Sequence, residues 1–214
     1  MHRHRVIVLV ASLGVLAAAP QRGQVFSFDA DPPGAAPASL VLAAMRQDKP
    51  GEWLIRRDAA NGVLVHRADA AATGLALALV ATAGDREEIA SVRLRLAGGA
   101  MAGGLVWRYI DPGNFYATLL DLARRELFLF RVTGGNRVFL ESHDDLELDP
   151  AAWHVLKVDH DHEEIHVSLG GIRVFEDRDR RGERRPSLGR LGVIAAGNAE
   201  VWFDDLRVEP ARGR

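Results

Sequence analysis

The sequence predicts an all-β protein, two antiparallel sheets packed as a jelly-roll sandwich. Three observations predict it. Apolar and polar residues alternate with a period of two in about a dozen short runs. These runs recur roughly every ten residues, with Gly, Asn, Asp and Pro between them. No convincing helical run of ten or more residues interrupts the series. The 214 residues, 48% of them hydrophobic, are enough for one large domain with its own core.

The strands are expected in order at residues 25–28, 53–57, 63–67, 75–80, 89–96, 104–110, 115–120, 127–133, 137–140, 155–158, 165–169, 172–176, 191–195 and 201–208. The run at 89–96 (IASVRLRL) alternates cleanly, with Val92 and Leu94 on one face and Arg93 and Arg95 on the other. Asn61-Gly62, Asp111-Pro112-Gly113-Asn114, Gly134-Gly135-Asn136 and Gly170-Gly171 supply the turn chemistry. One segment, 40–46 (LVLAAMR), reads as a short helix, bounded by Pro37 and Pro50-Gly51. The charge run at 178–186 reads as a solvated loop.

The first residues read as an address. Met1 to Arg5 is basic, and the 14 residues from Val6 to Ala19 are apolar or small. A membrane helix needs about 20 such residues, so a secretory signal peptide over 1–24 is expected. The domain then covers 25–209 and a short tail 210–214, with no membrane span in the mature chain. The expected location is periplasmic or secreted. There is no cysteine, which excludes disulfides, thiolate zinc sites and a cysteine nucleophile. A net charge of −2 speaks against nucleic acid as a partner.

Three segments carry a family resemblance. They are Gly104-Leu105-Val106-Trp107-Arg108-Tyr109-Ile110-Asp111 with Asn114-Phe115-Tyr116, Trp153 to Val158 with Ile165 to Gly171, and Gly189 to Val193 with Trp202 to Val208. In this order and spacing the chain resembles the concanavalin A-like lectin/glucanase jelly rolls. The closest branch is the exported bacterial one with laminin-G-type and 3-keto-disaccharide hydrolase-like domains. The resemblance implies two curved sheets with a concave face that often holds sugar. Gly104, Leu105, Arg108 and Asp121 match the hydrolase-like pattern, but its Glu and Gln positions hold Tyr116 and Thr118. The laminarinase-type Glu-x-Asp-x-x-Glu is absent, and glycoside hydrolysis normally needs two carboxyl groups flanking the bond. The expected function is therefore an exported, non-catalytic carbohydrate-binding or recognition module, with a glycan or a protein as ligand. The alternative is a hydrolase on a disaccharide or its 3-keto derivative, with Asp111 or Asp121 supplying the acid.

Strand parity selects a ligand patch. Leu105 and Trp107 face the core, so Val106 and Arg108 face outward. Arg131 alternates with Phe130 and Val132. If these strands are neighbours, Arg93, Arg95, Arg108, Tyr116 and Arg131 form one polar patch whose guanidinium forks suit hydroxyl-rich or acidic glycans. The four tryptophans are expected in the core. Asp159 to Glu164 has metal-ligand residue types but sits where a tight acidic hairpin is needed. No cofactor is required. Should the terminal strands pair, Asp29 and Asp31 with Asp204 and Asp205 would offer oxygen ligands suited to calcium.

Overall fold

The computed structural model describes residues 23–46, 49–67, 73–81, 88–97, 101–179, 189–197 and 200–210. The expected signal peptide, most of the 178–186 charge run and residues 211–214 of the tail lie outside them. The described residues form β-strands and no helix. In chain order the strands are β1 (Gln24–Phe26), β2 (Leu40–Met45), β3 (Glu52–Asp58), β4 (Asn61–Arg67), β5 (Leu75–Val80), β6 (Glu88–Ala97), β7 (Met101–Asp111), β8 (Asn114–Asp121), β9 (Glu126–Thr133), β10 (Asn136–His143), β11 (His154–Asp161), β12 (Glu164–Leu169), β13 (Ile172–Arg178), β14 (Arg190–Gly197) and β15 (Glu200–Pro210).

They make two antiparallel sheets packed face to face. One runs β13-β12-β11-β6-β15-β4-β3, with β1 added along β15; the other runs β10-β9-β8-β7-β14-β5-β2. Between them lies the main core, where Ile55, Leu64, Val92, Leu94 and Phe203 of the first sheet meet Leu105, Trp107, Leu129 and Val193 of the second. A second apolar cluster, including Leu77, Leu79, Val106, Phe115, Phe130 and Ile194, lies on the other face of the seven-stranded sheet. That sheet is thus apolar on both faces, a pattern that removes the cue by which alternation tells inside from outside.

Two local expectations are corrected. Residues 40–45 form strand β2 and not a helix, pairing with β5 from Leu40↔Val80 to Met45↔Leu75. Weak helix propensity yields to a ladder partner and a buried face. Asn61 and Gly62 are not the turn. They belong to β4, opposite Asp58 and Arg57, and Ala59 turns the chain with φ 55°. Gly62 serves a close approach, since a Cβ there would meet the Phe28 carbonyl oxygen at 2.2 Å.

Gly104 has the same role in the centre of the seven-stranded sheet. A Cβ at this position would lie 1.8 Å from the backbone oxygen of Thr118 on β8. Gly104→Ala should therefore cost about 1–3 kcal/mol or more as the β7–β8 pair is pushed apart. Urea titration of the variant checks this, and an unchanged midpoint would contradict it.

Candidate functional site

The five residues expected to form one patch are divided between two places. Arg108, Tyr116 and Arg131 are buried between the sheets, at 5%, 1% and 6% exposure. Arg93 and Arg95 lie on the outer face of the eight-stranded sheet, partly exposed. The reason is specific for each strand. In β7 the register shifts between Trp107 and Asp111, and Arg108 has φ 49°. Across this irregularity β7 has two residues more than β8 between the paired positions and one more than β14 between Val106 and Tyr109, so Trp107 and Arg108 both turn inward and Tyr109 resumes the outer face. Gly189 makes room for it, since a Cβ there would lie 2.5 Å from the Arg108 carbonyl carbon. In β9, Phe130 and Val132 belong to the outer apolar cluster, so the residue between them, Arg131, faces in.

These inward groups form polar contacts across the sandwich. Trp107 Nε1 donates to His160 Nδ1 at 2.8 Å, and Arg108 Nη1 lies 2.9 Å from His160 Nε2. The same guanidinium donates to the carbonyls of His160 and His162, both at 3.3 Å. Nearby, the Tyr116 hydroxyl and Arg131 Nη1 each donate to Asp179 Oδ2 at 2.7 Å. Asp179 is the described acid of the charge run expected to be solvated, yet it is 1% exposed. Burial, and then its bond to Asp179, push the Tyr116 hydroxyl far above the ordinary tyrosine range, so it remains a donor.

The outer face of the eight-stranded sheet carries a ladder that the sequence reading missed. Arg93 and Arg95 lie over the Trp153 ring at 5.1 and 4.9 Å, Arg95 over Trp202 at 4.3 Å, and Arg56 over Trp202 at 6.0 Å. Trp153 and Trp202 are therefore half-buried surface residues, whereas Trp53 and Trp107 lie in the core as expected. Carboxylates answer the ladder's charges: Arg56–Glu200 at 2.8 Å, Arg95–Asp58 at 3.3 Å, and Arg93 with Asp204 at 3.2 Å and Asp205 at 3.4 Å. The tryptophan faces and the guanidinium charges are thus engaged within the protein.

The terminal strands β1 and β15 do pair, from Gln24↔Val208 to Phe26↔Leu206. Burial lifts the Asp204 carboxyl above the ordinary aspartate range, and Asp29 and Asp205 add to this. Asp29 Oδ1 accepts from the Gly62 amide at 2.9 Å, while Asp31 contributes its backbone carbonyl to Arg57. The Arg93 guanidinium stands where a cation would sit between Asp204 and Asp205. Among the described residues no three His, Asp or Glu side chains converge to hold a metal, Asp159 to Glu164 included. That segment is the β11–β12 hairpin, turned at His162 with φ 52°, and its His160 is buried.

The best-formed cavity lies on the outer face of the seven-stranded sheet, about 290 Å³ in volume. Phe128, Phe130 and Phe139 give it an aromatic wall, Leu75, Ala102 and Ala196 an aliphatic floor, and Asp121, Arg124 and Arg137 a polar edge. Phe139 is 55% exposed. Arg137 lies over Phe130 at 4.6 Å and over Phe139 at 5.9 Å. Partial burial, and then the positive charge of Arg46, hold Arg137 below the ordinary arginine range. Arg46 follows β2 and Arg137 lies on β10, the two edges of this sheet.

Asp121 lines that cavity. It also accepts from the Arg124 amide at 3.1 Å and lies 3.7 Å from its guanidinium. Asp111 instead orders the β7–β8 turn, accepting from the Gly113 amide at 2.7 Å and the Asn114 side chain at 3.0 Å. Asp111 ends β7 opposite Asn114 at the start of β8, and Asp121 ends β8, so the two acids are about 23 Å apart at ~3.3 Å per residue.

No family model and no curated protein matches the chain. Solved structures do. The chain is similar to the carbohydrate-binding module CBM66 from Bacillus subtilis, at 16% identity and TM-score 0.63 over 78% of this chain and 94% of that one. It is also similar to the Emp47p carbohydrate recognition domain, at 13% identity and TM-score 0.57 over 88% and 95% of the two chains. A native glycosidic hydrolase matches at 9% identity and TM-score 0.63 over 92% and 100%. At these identities the likeness is one of fold, a two-sheet antiparallel β-sandwich.

Proposed function

We propose that the protein is an exported, non-catalytic carbohydrate-binding module whose ligand seat is the Phe128–Phe130–Phe139 cavity. The observation that carries this reading is the cavity itself. An exposed aromatic ring beside fixed polar groups is what a sugar requires, with its apolar face stacked and its hydroxyls bonded at the edge. The fold neighbours support it, since they include a carbohydrate-binding module and a carbohydrate recognition domain. In this reading Arg108, Tyr116 and Arg131 brace the sandwich beneath the site, and Arg93 and Arg95 rigidify its back. Calcium, through Asp29, Asp31, Asp204 and Asp205, is a variable to test and not a premise.

A glycan array probed with the purified protein, with and without calcium, tests the reading. Phe139→Ala is expected to weaken the best ligand about tenfold or more while leaving the melting temperature within 2 °C, because stacking on an exposed ring is worth roughly 1 kcal/mol or more. No binding across neutral, acidic and oxidised sugars would overturn it. Recovery of the protein from the periplasm or medium, lacking its first residues, tests export.

A hydrolytic reading has one observation in its favour, the carboxyl of Asp121 at the cavity. Two-carboxylate hydrolysis needs its acids about 5–9.5 Å apart. Asp111, the other candidate, is too distant to serve as that partner. Cleavage of a 3-keto-glucoside that Asp121→Asn abolishes would favour the enzyme.

A further inference from the structure

The cavity's charge points to a narrower ligand class. Arg137 is held in place by two aromatic rings, Phe130 and Phe139, and not by an acid. Among the described residues no carboxylate lies within ion-pair distance of Arg137 or of Arg46. Many of the other described arginines do find acids, Arg56, Arg67, Arg93, Arg95, Arg124 and Arg131 each having a carboxylate within 4 Å, whereas Arg57 and Arg125 are held by backbone carbonyls. Arg137 thus presents a cation without a described carboxylate partner at a partly apolar cavity, and such a charge is stabilised by an anion brought beside it.

We infer that the cavity binds an acidic saccharide, with a sugar ring against Phe139 and its carboxylate on the Arg137 guanidinium. A planar guanidinium matches a carboxylate with two parallel N–H···O bonds, and its flat face can remain stacked on the rings meanwhile. Asp121 does not neutralise the site, because Arg124 already faces it at 3.7 Å. Its remaining acceptor capacity suits a sugar hydroxyl. This inference rests on the carbohydrate-binding reading and specifies the sugar's charge.

Titration calorimetry with paired probes tests it. The probes are short oligomers of galacturonate, glucuronate and mannuronate, each as the free acid and as the methyl ester, which keeps the ring and removes the charge. At least one free acid should bind ten- to a hundredfold more tightly than its ester, the range for a charge-assisted hydrogen bond. Its affinity should fall with added salt. Arg137→Gln should abolish that preference with an unchanged melting temperature, and Arg137→Lys should retain part of it. Equal affinity for acid and ester, or binding of neutral sugars alone, would overturn this inference and leave the carbohydrate reading intact. No binding by any acid, ester or neutral sugar would overturn both. A preference that survives in Arg137→Gln would place the anion site elsewhere.

Discussion

Arg131→Met is expected to destabilise the protein by about 3–5 kcal/mol, because it removes the guanidinium that faces the buried Asp179 carboxylate. The pair is at 2.7 Å, with side-chain exposures of 7% and 0%, so water cannot take the guanidinium's place. At about 2–4 °C per kcal/mol for a chain of this size, the melting temperature should drop by roughly 6–20 °C. The logic is asymmetric. Breaking the pair is costly, whereas replacing all the partners with apolar groups is often close to neutral. The combined variant Arg131→Met, Asp179→Leu, Tyr116→Phe should therefore recover most of the loss. Calorimetric melts of the single and combined variants provide the comparison. A single variant within 1 kcal/mol of wild type would refute the role of this pair as a stabilising brace.

The second large effect is acid sensitivity from His66. This side chain is 1% exposed and packs on Trp53 at 4.7 Å between ring centroids. Gly51, with φ +73°, lies directly over it, and a Cβ there would come within 2.4 Å of His66 Nε2. Burial lowers the His66 pKa from 6.5 to about 4, with the Pro50 carbonyl offsetting part of the shift. The folded pKa is below the unfolded one. Stability is therefore fully present above pH 6.5. It falls as the unfolded chain takes up a proton that the folded chain refuses, down to pH near 4. The loss across that window is about 3 kcal/mol. Urea unfolding at pH 7, 5.5 and 4 for wild type and His66→Leu measures it. The two pH profiles should converge by about this amount as pH falls, and parallel profiles would refute the assignment.

Strand order and character were legible along nearly the whole chain because the period-two signal is local. The residue alternation of β6 and β12 alone is enough to place them. Segment 40–45 was misread because Leu, Ala and Met favour helices, and only the β5 partner makes it a strand. The site was far less legible. Arg108 faces inward through the irregularity in β7, and parity cannot announce a bulge. Arg131 faces inward because Phe130 and Val132 cover the outer face, an arrangement that depends on the sheet being apolar on both sides. Trp153 and Trp202 resembled core residues in composition, and their arginine partners come from other strands. Phe128, Phe139 and Arg137, the residues of the proposed ligand seat, carry no motif.

By itself the sequence determined an all-β sandwich with two antiparallel sheets, the absence of thiol chemistry, and the absence of a Glu-x-Asp-x-x-Glu pattern. Each follows from composition or from neighbours within a few residues. The tertiary structure decided which face each arginine occupies, that Asp179 of a charged run is buried, and that Arg137 lies over Phe130 and Phe139 at a cavity. Those outcomes depend on register and bulge. They are set by long-range pairing between strands far apart in the chain, where a shift of one residue exchanges inside for outside.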